Sequence, residues 1–147
     1  MPNAKLFFSE EEKSKIIQAI ALAEKETSGE IRVHLEEKCG DDVIKRATQV
    51  FAKLNMHKTD LKNGVLIYLA VKDKKFAIIG DEGINNSVPE NFWDTIKNNM
   101  AVSFSHGNFI DGIIGAINES GEQLKQFFPF HQADVNEVSD EISFHDD

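Results

Sequence analysis

The stretch from Gly64 to Val71, which reads Gly-Val-Leu-Ile-Tyr-Leu-Ala-Val, constrains the fold of this chain more than any other feature. An uninterrupted apolar run of this length is typical of a strand that is covered on both faces. A lysine-rich turn at residues 72–75 and a second apolar segment at residues 76–79 follow, which predicts an antiparallel hairpin. The rest of the chain must therefore supply elements that cover this hairpin.

A further strand is predicted after Ser28 and Gly29, where apolar and polar side chains alternate. Ile31, Val33 and Leu35 form its apolar face. Its other face is polar and consists of Glu30, Arg32, His34 and Glu36.

Four amphipathic segments predict four helices, at residues 9–27, 43–55, 87–100 and 108–127. Capping boxes mark the starts of the first and third of these helices. The resulting order is helix, strand, helix, strand, strand, helix, helix, which predicts an α/β fold with a small mixed sheet of at least three strands. A right-handed crossover makes the first two strands parallel, and the third strand then runs in the opposite direction.

The length of 147 residues predicts one domain, over residues 1–130. Residues 131–147 contain six acidic residues and no Lys or Arg, and we interpret them as an acidic, flexible tail. The net charge of −9 repels phosphate backbones, so nucleic acid is not an expected partner. Because no leader or apolar run of 18 residues is evident, we expect a cytoplasmic protein without membrane insertion. We also expect a monomer.

Sequence signatures of the common enzyme classes are absent from the chain. The single cysteine, Cys39, excludes an intramolecular disulfide and a cysteine-rich zinc site, and the five histidines lack zinc-binding spacing. No nucleophile elbow, phosphate-binding loop, dinucleotide-binding glycine motif or C-x-x-C motif occurs.

The predicted topology brings acidic residues to one end of the sheet. Parallel first and second strands place Glu30 and Asp60 at the same end, and the hairpin returns the chain there at Asp81. Glu82 follows in a glycine-punctuated loop and adds another carboxylate. Carboxylate and amide oxygens suit Ca²⁺ or Mg²⁺, so these four residues are the predicted metal ligands.

Two alternatives remain for the same residues. Asp81 and Glu82 are common loop residues, and their neighbouring glycines can serve turn geometry alone. Glu30 can instead pair with Arg32 on the same strand face.

Several ordered motifs over residues 9–130 make the chain resemble the TPM-domain family. They are Ser28-Gly-Glu-Ile-Arg-Val33, Asn63-Gly-Val-Leu-Ile-Tyr-Leu-Ala70, Phe76-Ala-Ile-Ile-Gly-Asp-Glu-Gly-Ile84, Phe92-Trp93, Gly107-Asn-Phe-Ile-Asp-Gly-Ile113, Ala116-Ile117 and Phe128-Pro129. The resemblance implies a three-layer α/β/α sandwich of Rossmann-like type, in the free-standing bacterial form of the family without a signal peptide or transmembrane helix. It also implies divalent-metal binding, with Glu30 and Asp81 at the matching positions.

The resemblance leaves two functions open, because family members include a plant thylakoid-lumen acid phosphatase and an auxiliary protein of an acetylcholine receptor. The first hypothesis is a Ca²⁺- or Mg²⁺-binding module that interacts with an unidentified protein partner. The alternative is a weak metal-assisted acid phosphatase in which Asp81 is the base or nucleophile. Only two arginines are present to stabilise a phosphoryl transition state, which disfavours the enzyme.

Overall fold

The structure of the chain is a computed structural model that describes residues 4–59, 61–129 and 141–144. In these residues the chain forms a mixed four-stranded sheet and six α-helices. The helices are α1 (Ala4–Phe7), α2 (Glu10–Ala23), α3 (Val43–Lys53), α4 (Glu82–Asn85), α5 (Asp94–Ser105) and α6 (Phe109–Leu124). The strands are β1 (Glu30–Glu36), β2 (Gly64–Ala70), β3 (Lys75–Gly80) and β4 (Ser143–Phe144).

The sheet has the strand order β3-β2-β1-β4 and confirms the predicted topology. Strands β1 and β2 are parallel, with Glu30 opposite Gly64. Strands β2 and β3 form the antiparallel hairpin, with Val65 opposite Gly80. The N-terminal ends of β1 and β2 and the C-terminal end of β3 therefore lie at one end of the sheet, called the acidic end below.

Helices cover the central strand on both faces, so the fold is an α/β/α sandwich. All seven residues of β2 are buried. Its odd-numbered residues, such as Ile67, pack in a core with apolar residues of α2, α5 and α6. Its even-numbered residues, such as Leu66, pack in a second core with α3 and the 3₁₀ turn Met56–Lys58. Full burial of one such side chain stabilises the fold by about 1.5–3 kcal/mol, so helices that cover both faces of β2 are favoured. In the described part of the chain, no helix has the length and apolarity needed to span a bilayer.

The helix predicted from Ser87 begins later and ends later than expected, as α5. Ser87 does not cap it, because the Ser87 hydroxyl donates a hydrogen bond to the carbonyl oxygen of Gly83 in the preceding turn. The segment after Pro89 forms turns instead, and α5 starts at Asp94 and continues to Ser105. The capping box at Ser9 is confirmed, with reciprocal bonds between Ser9 and Glu12.

Residues 141–144 belong to the part of the chain that was predicted to be an acidic tail, and they pack on the domain. Ile142 and Ser143 are buried, and β4 pairs in parallel with His34 and Leu35 of β1. A strand of two residues is too short to give a periodic pattern, which explains why the sequence did not indicate it. The remaining tail residues, 131–140 and 145–147, lie outside the described residues.

The loop before β2 packs closely against α4 at the acidic end because Gly83 has no side chain. A Cβ atom at Gly83 would lie 2.1 Å from the carbonyl oxygen of Leu61 and 2.5 Å from that of Lys62. The loop before β2 and the backbone of α4 are thus in close contact.

We expect Gly83→Ala to lower the free energy of unfolding by about 1–3 kcal/mol, because the added methyl group must displace backbone atoms. Urea unfolding measured by circular dichroism tests this. Gly115→Ala in α6 is the matched control, since a Cβ there meets no atom within 4 Å, and it should stabilise the helix by roughly 0.5–1 kcal/mol. Equal effects of the two substitutions would contradict the close contact between Gly83 and the loop before β2.

Candidate functional site

Glu30 and Asp81 flank Gly64 in one row across three strands at the acidic end. Glu30 is the register partner of Gly64, and the Asp81 N–H donates to the Gly64 carbonyl oxygen at 3.0 Å. Neighbouring strands lie about 4.8 Å apart, so the two acidic residues are about two strand spacings from each other. Alternation along the strands places both on the α3 face, where Gly64 lies between them beneath Met56 and Phe51.

Only one of the two carboxylate oxygens of Asp81 accepts a hydrogen bond from the described residues. Asp81 is the N-cap of α4, and its Oδ1 accepts the N–H of Glu82 at 2.7 Å. Its Oδ2 is buried and has no hydrogen-bond partner among the residues that the structure describes. A buried carboxylate oxygen without a donor costs about 1–3 kcal/mol or more, so this atom is a candidate ligand for a cation.

Asn63 holds the acidic end together. Its carbonyl oxygen accepts the N–H of Glu30 at 3.2 Å, and its side-chain nitrogen donates to the carbonyl oxygen of Ser28 at 3.1 Å. Its own N–H donates to the Thr59 hydroxyl at 3.3 Å. The motifs around Ser28 and Asn63 therefore have a physical role, because together they fix the backbone on which Glu30 is presented.

The segment after α6 is bound to the same end of the sheet. The carbonyl oxygen of Phe128 accepts hydrogen bonds from the Thr27 hydroxyl and, at 2.9 Å, from the Ser28 N–H. Thr27 also forms an isolated antiparallel bridge with Pro129. The Phe128-Pro129 motif thus braces the chain just before Glu30.

The predicted ligands have different places in the structure. Glu30 is 4% exposed, Asp81 is half-buried and Glu82 is exposed at the start of α4. Asp60 lies outside the described residues, although its chain neighbour Leu61 contacts Gly83. Across residues 4–59, 61–129 and 141–144, no group of three or more acidic, His or Cys side chains is arranged to hold a metal ion. Two of the four predicted ligands, Glu30 and Asp81, are brought to one row.

A second polar cluster lies on the same face of the sheet, toward the other end of β1. The Glu36 carboxylate accepts two hydrogen bonds from Arg46, from Nε at 2.6 Å and from Nη2 at 2.8 Å. It also accepts the Tyr68 hydroxyl and, at 3.0 Å, Nε2 of His34. The other ring nitrogen of His34 lies 3.0 Å from the Ser143 hydroxyl of β4.

The charge of Glu36 is strongly stabilised by these partners. Burial alone would raise the pKa of Glu36, but the hydrogen bonds from Arg46, His34 and Tyr68 outweigh it and hold the pKa well below its ordinary value. Burial and the bond to Glu36 raise the pKa of the Tyr68 hydroxyl, which keeps its proton. Glu36 is therefore ionised, and because it can only accept, Nε2 of His34 carries a proton.

This cluster has a structural role, because its side chains are buried and bonded to one another. Glu36 and His34 are 1% and 3% exposed, and Ser143 is fully buried, so none of the three is open to a substrate. The bond between His34 and Ser143 instead attaches β4 to the edge of the sheet. No motif in the sequence indicated the network, although the alternation in β1 did place His34 and Glu36 on the polar face.

Cys39 is a free, partly buried thiol beside Asp73. Burial and the nearby Asp73 carboxylate, whose Oδ2 lies 3.6 Å from Sγ, raise the pKa of the Cys39 thiol. A raised pKa lowers the thiolate fraction at neutral pH, and the thiolate is the reactive form.

Comparison with known protein families gives one match, to the model described as the TPM domain, over residues 3–123. None of the curated proteins compared with the chain matches it.

Several solved structures are similar to the chain. The NMR structure of the BA42 protein from the psychrophilic bacterium Bizionia argentinensis is 48% identical and covers 94% of this chain and 95% of its own, with a TM-score of 0.89. The N-terminal domain of a protein from P. gingivalis is 15% identical, with a TM-score of 0.69 over 85% of this chain and 82% of its own. The N-terminal domain of cg2496 from Corynebacterium glutamicum is 14% identical, with a TM-score of 0.62 over 94% and 81%. The last two similarities establish the shared fold only.

We expect Glu36→Gln to lower the free energy of unfolding by about 3 kcal/mol at pH 7, because it removes the charge that pairs with Arg46. The lowered pKa of Glu36 stabilises the fold above the ordinary glutamate value, about pH 4.3, and this contribution fades as the pH falls below it. The difference between wild type and variant should therefore shrink from pH 7 to pH 3.

Urea unfolding at both pH values measures this difference. Glu122→Gln is the control, since the Glu122 side chain is 71% exposed and its loss should change stability by less than about 0.5 kcal/mol. A deficit for Glu36→Gln that is the same at pH 7 and pH 3 would contradict the role of Glu36 as a buried ion.

Proposed function

Because the chain belongs to the TPM-domain family, we propose that it is a divalent-cation-binding interaction module whose ligands are Glu30, Asp81 and Asp60. The observation that carries the proposal is the buried Oδ2 of Asp81, which has no donor among the described residues. Ca²⁺ and Mg²⁺ bind carboxylate and carbonyl oxygens, the groups that this end of the sheet offers. Glu82, which is exposed, would act as an outer ligand or as surface charge.

The backbone around Asp81 supports this assignment. Asn63 fixes the start of β1 where Glu30 is buried, and the bond from the Asp81 N–H to Gly64 fixes the end of β3. A ligand pair held on strands loses little entropy when a cation binds. Binding would then order the loop before β2 and the start of α4, which are already in contact at Gly83.

The acidic charge of the chain supports the proposed role as an interaction module. The chain carries a net charge of −9, and a bound cation would neutralise part of the acidic end while the exposed Glu82 remains available to a basic protein surface. We therefore describe the proposed partner only as a protein with a basic surface.

The phosphatase hypothesis ranks second because of the arginines. Arg46 donates two hydrogen bonds to Glu36 at the opposite end of β1, and so it is held away from a phosphate group at Asp81. Arg32 is the other arginine, and it lies on the same face of β1 as Glu30. Phosphoryl transfer requires cationic groups around the developing charge, so this end of the sheet is better suited to holding a cation than to turning over a phosphate ester.

We expect Ca²⁺ or Mg²⁺ to shift amide NMR signals of residues 28–32, 61–64 and 80–86, because these segments carry or brace the ligands. Asp81→Asn should weaken binding roughly tenfold by removing one negative charge from the site. Asparagine also serves well as an N-cap, so the variant keeps α4.

Asp42→Asn is the matched control, since Asp42 also caps a helix, with its Oδ1 accepting the Lys45 N–H at 3.1 Å. It lies at the start of α3, beyond the C-terminal end of β1, and should leave cation binding unchanged. Unchanged affinity in Asp81→Asn would remove Asp81 from the site, and absence of shifts at millimolar cation would refute the module.

The same metal-loaded sample also distinguishes the enzyme from the module. We expect no hydrolysis of p-nitrophenyl phosphate above the rate of a metal-only blank. Turnover that requires the cation and disappears in Asp81→Asn would favour the phosphatase instead, with Asp81 in the catalytic role.

A further inference from the structure

A cavity of about 560 Å³ lies far from the acidic end, between the β2–β3 turn and the corner that joins α5 to α6. Its floor is formed by Leu69 and Phe76, which pair across β2 and β3. These side chains face α5 and α6, whereas Glu30 and Asp81 lie on the α3 face. Leu69 is five residues along β2 from Gly64, or roughly 17 Å. The cavity is therefore separate from the proposed cation site.

The cavity wall is aromatic and held in place by packing. Phe104 meets Phe76 edge to face with ring centroids 5.1 Å apart, and it stacks on Phe109 at 5.3 Å. Gly112 allows this arrangement, because a Cβ there would lie 2.4 Å from the Phe104 ring. A volume of this size is within the range of about 300–1,000 Å³ that is typical of small-molecule sites.

The charge at the cavity is positive although the chain is acidic. Lys74 is the one charged residue among the described residues that line it. The adjacent carboxylate of Asp73 is bound elsewhere, since its Oδ2 accepts the N–H groups of Cys39 at 2.9 Å and Gly40 at 3.4 Å. Lys74 is thus not neutralised by its neighbour in the turn, and it can meet an anion at the mouth of the cavity.

We propose that this cavity binds an apolar monocarboxylate, with its apolar body against the phenylalanine rings and its carboxylate at Lys74. The rings favour an apolar body because their contact with water is removed. The single cation favours one negative group. Ser105 lies on the same rim, but its hydroxyl already donates to the Val102 carbonyl oxygen at 2.7 Å, so Lys74 is the group that meets the carboxylate.

The test uses octanoate and octan-1-ol, which share the same alkyl chain and differ in charge, titrated into the metal-free protein and followed by amide NMR. Octanoate should shift signals of residues 74–76 and 101–109 and should bind more tightly than the alcohol. Lys74→Gln should weaken octanoate binding about two- to fivefold and leave octanol binding unchanged. Lys15→Gln on the exposed face of α2 is the control and should change neither.

Ala101→Trp tests the location, because Ala101 lines the cavity from an exposed position on α5 and can be enlarged without disturbing the core. It should abolish binding of both ligands while the melting temperature stays the same. Octanoate binding that survives this variant, or that leaves the signals of residues 74–76 and 101–109 unmoved, would overturn the site. Equal binding of octanol and octanoate, with no effect of Lys74→Gln, would overturn the carboxylate specificity.

Discussion

Burial of β2 on both faces is the constraint on which the rest of this structure depends. Every residue of this strand is buried, so the chain must place helices on each side and parallel or antiparallel strands on each edge. The three helices α2, α5 and α6 cover one face, and α3 covers the other. Because the faces are largely occupied by apolar packing, the acidic carboxylates and the apolar cavity lie at the two ends of the sheet. The Glu36 network is the exception, since it reaches the buried hydroxyl of Tyr68 in the central strand.

The main layers could be predicted from local patterns, because period-2 and period-3.6 alternation directly reflect which side of an element is buried. The parallel pairing of β1 with β2 and the hairpin followed from connection rules, and the structure confirms both. The start of α5 could not be predicted correctly, since Ser87 and Glu90 match a capping box but Ser87 bonds back to Gly83. A local motif was there outweighed by the turn that packs Gly83 against the loop before β2.

Long-range polar contacts could not be predicted from the sequence, for a different reason. His34 and Ser143 are 109 residues apart, and Glu36 and Tyr68 are 32 apart, so no spacing in the chain connects them. The acidic end was partly predictable because strand direction alone brings Glu30 and Asp81 to the same edge. What strand direction could not provide is the hydrogen bonding of each carboxylate, and that bonding decides which acidic residue is structural.

The carboxylates of Glu36 and Asp81 illustrate the distinction. Glu36 accepts four hydrogen bonds, two from one arginine, so a cation would have to displace Arg46 and leave a guanidinium without its partner. Asp81 accepts one backbone N–H on Oδ1, and its buried Oδ2 has no donor in the described part of the chain, so a cation could bind there without breaking an existing bond. Asp73 stands between these cases, because backbone N–H groups lower its pKa while it remains at the surface. The number of donors around each carboxylate, rather than the density of acidic residues in the sequence, thus separates Glu36, which holds the fold together, from Asp81, whose Oδ2 has no donor in the described part of the chain.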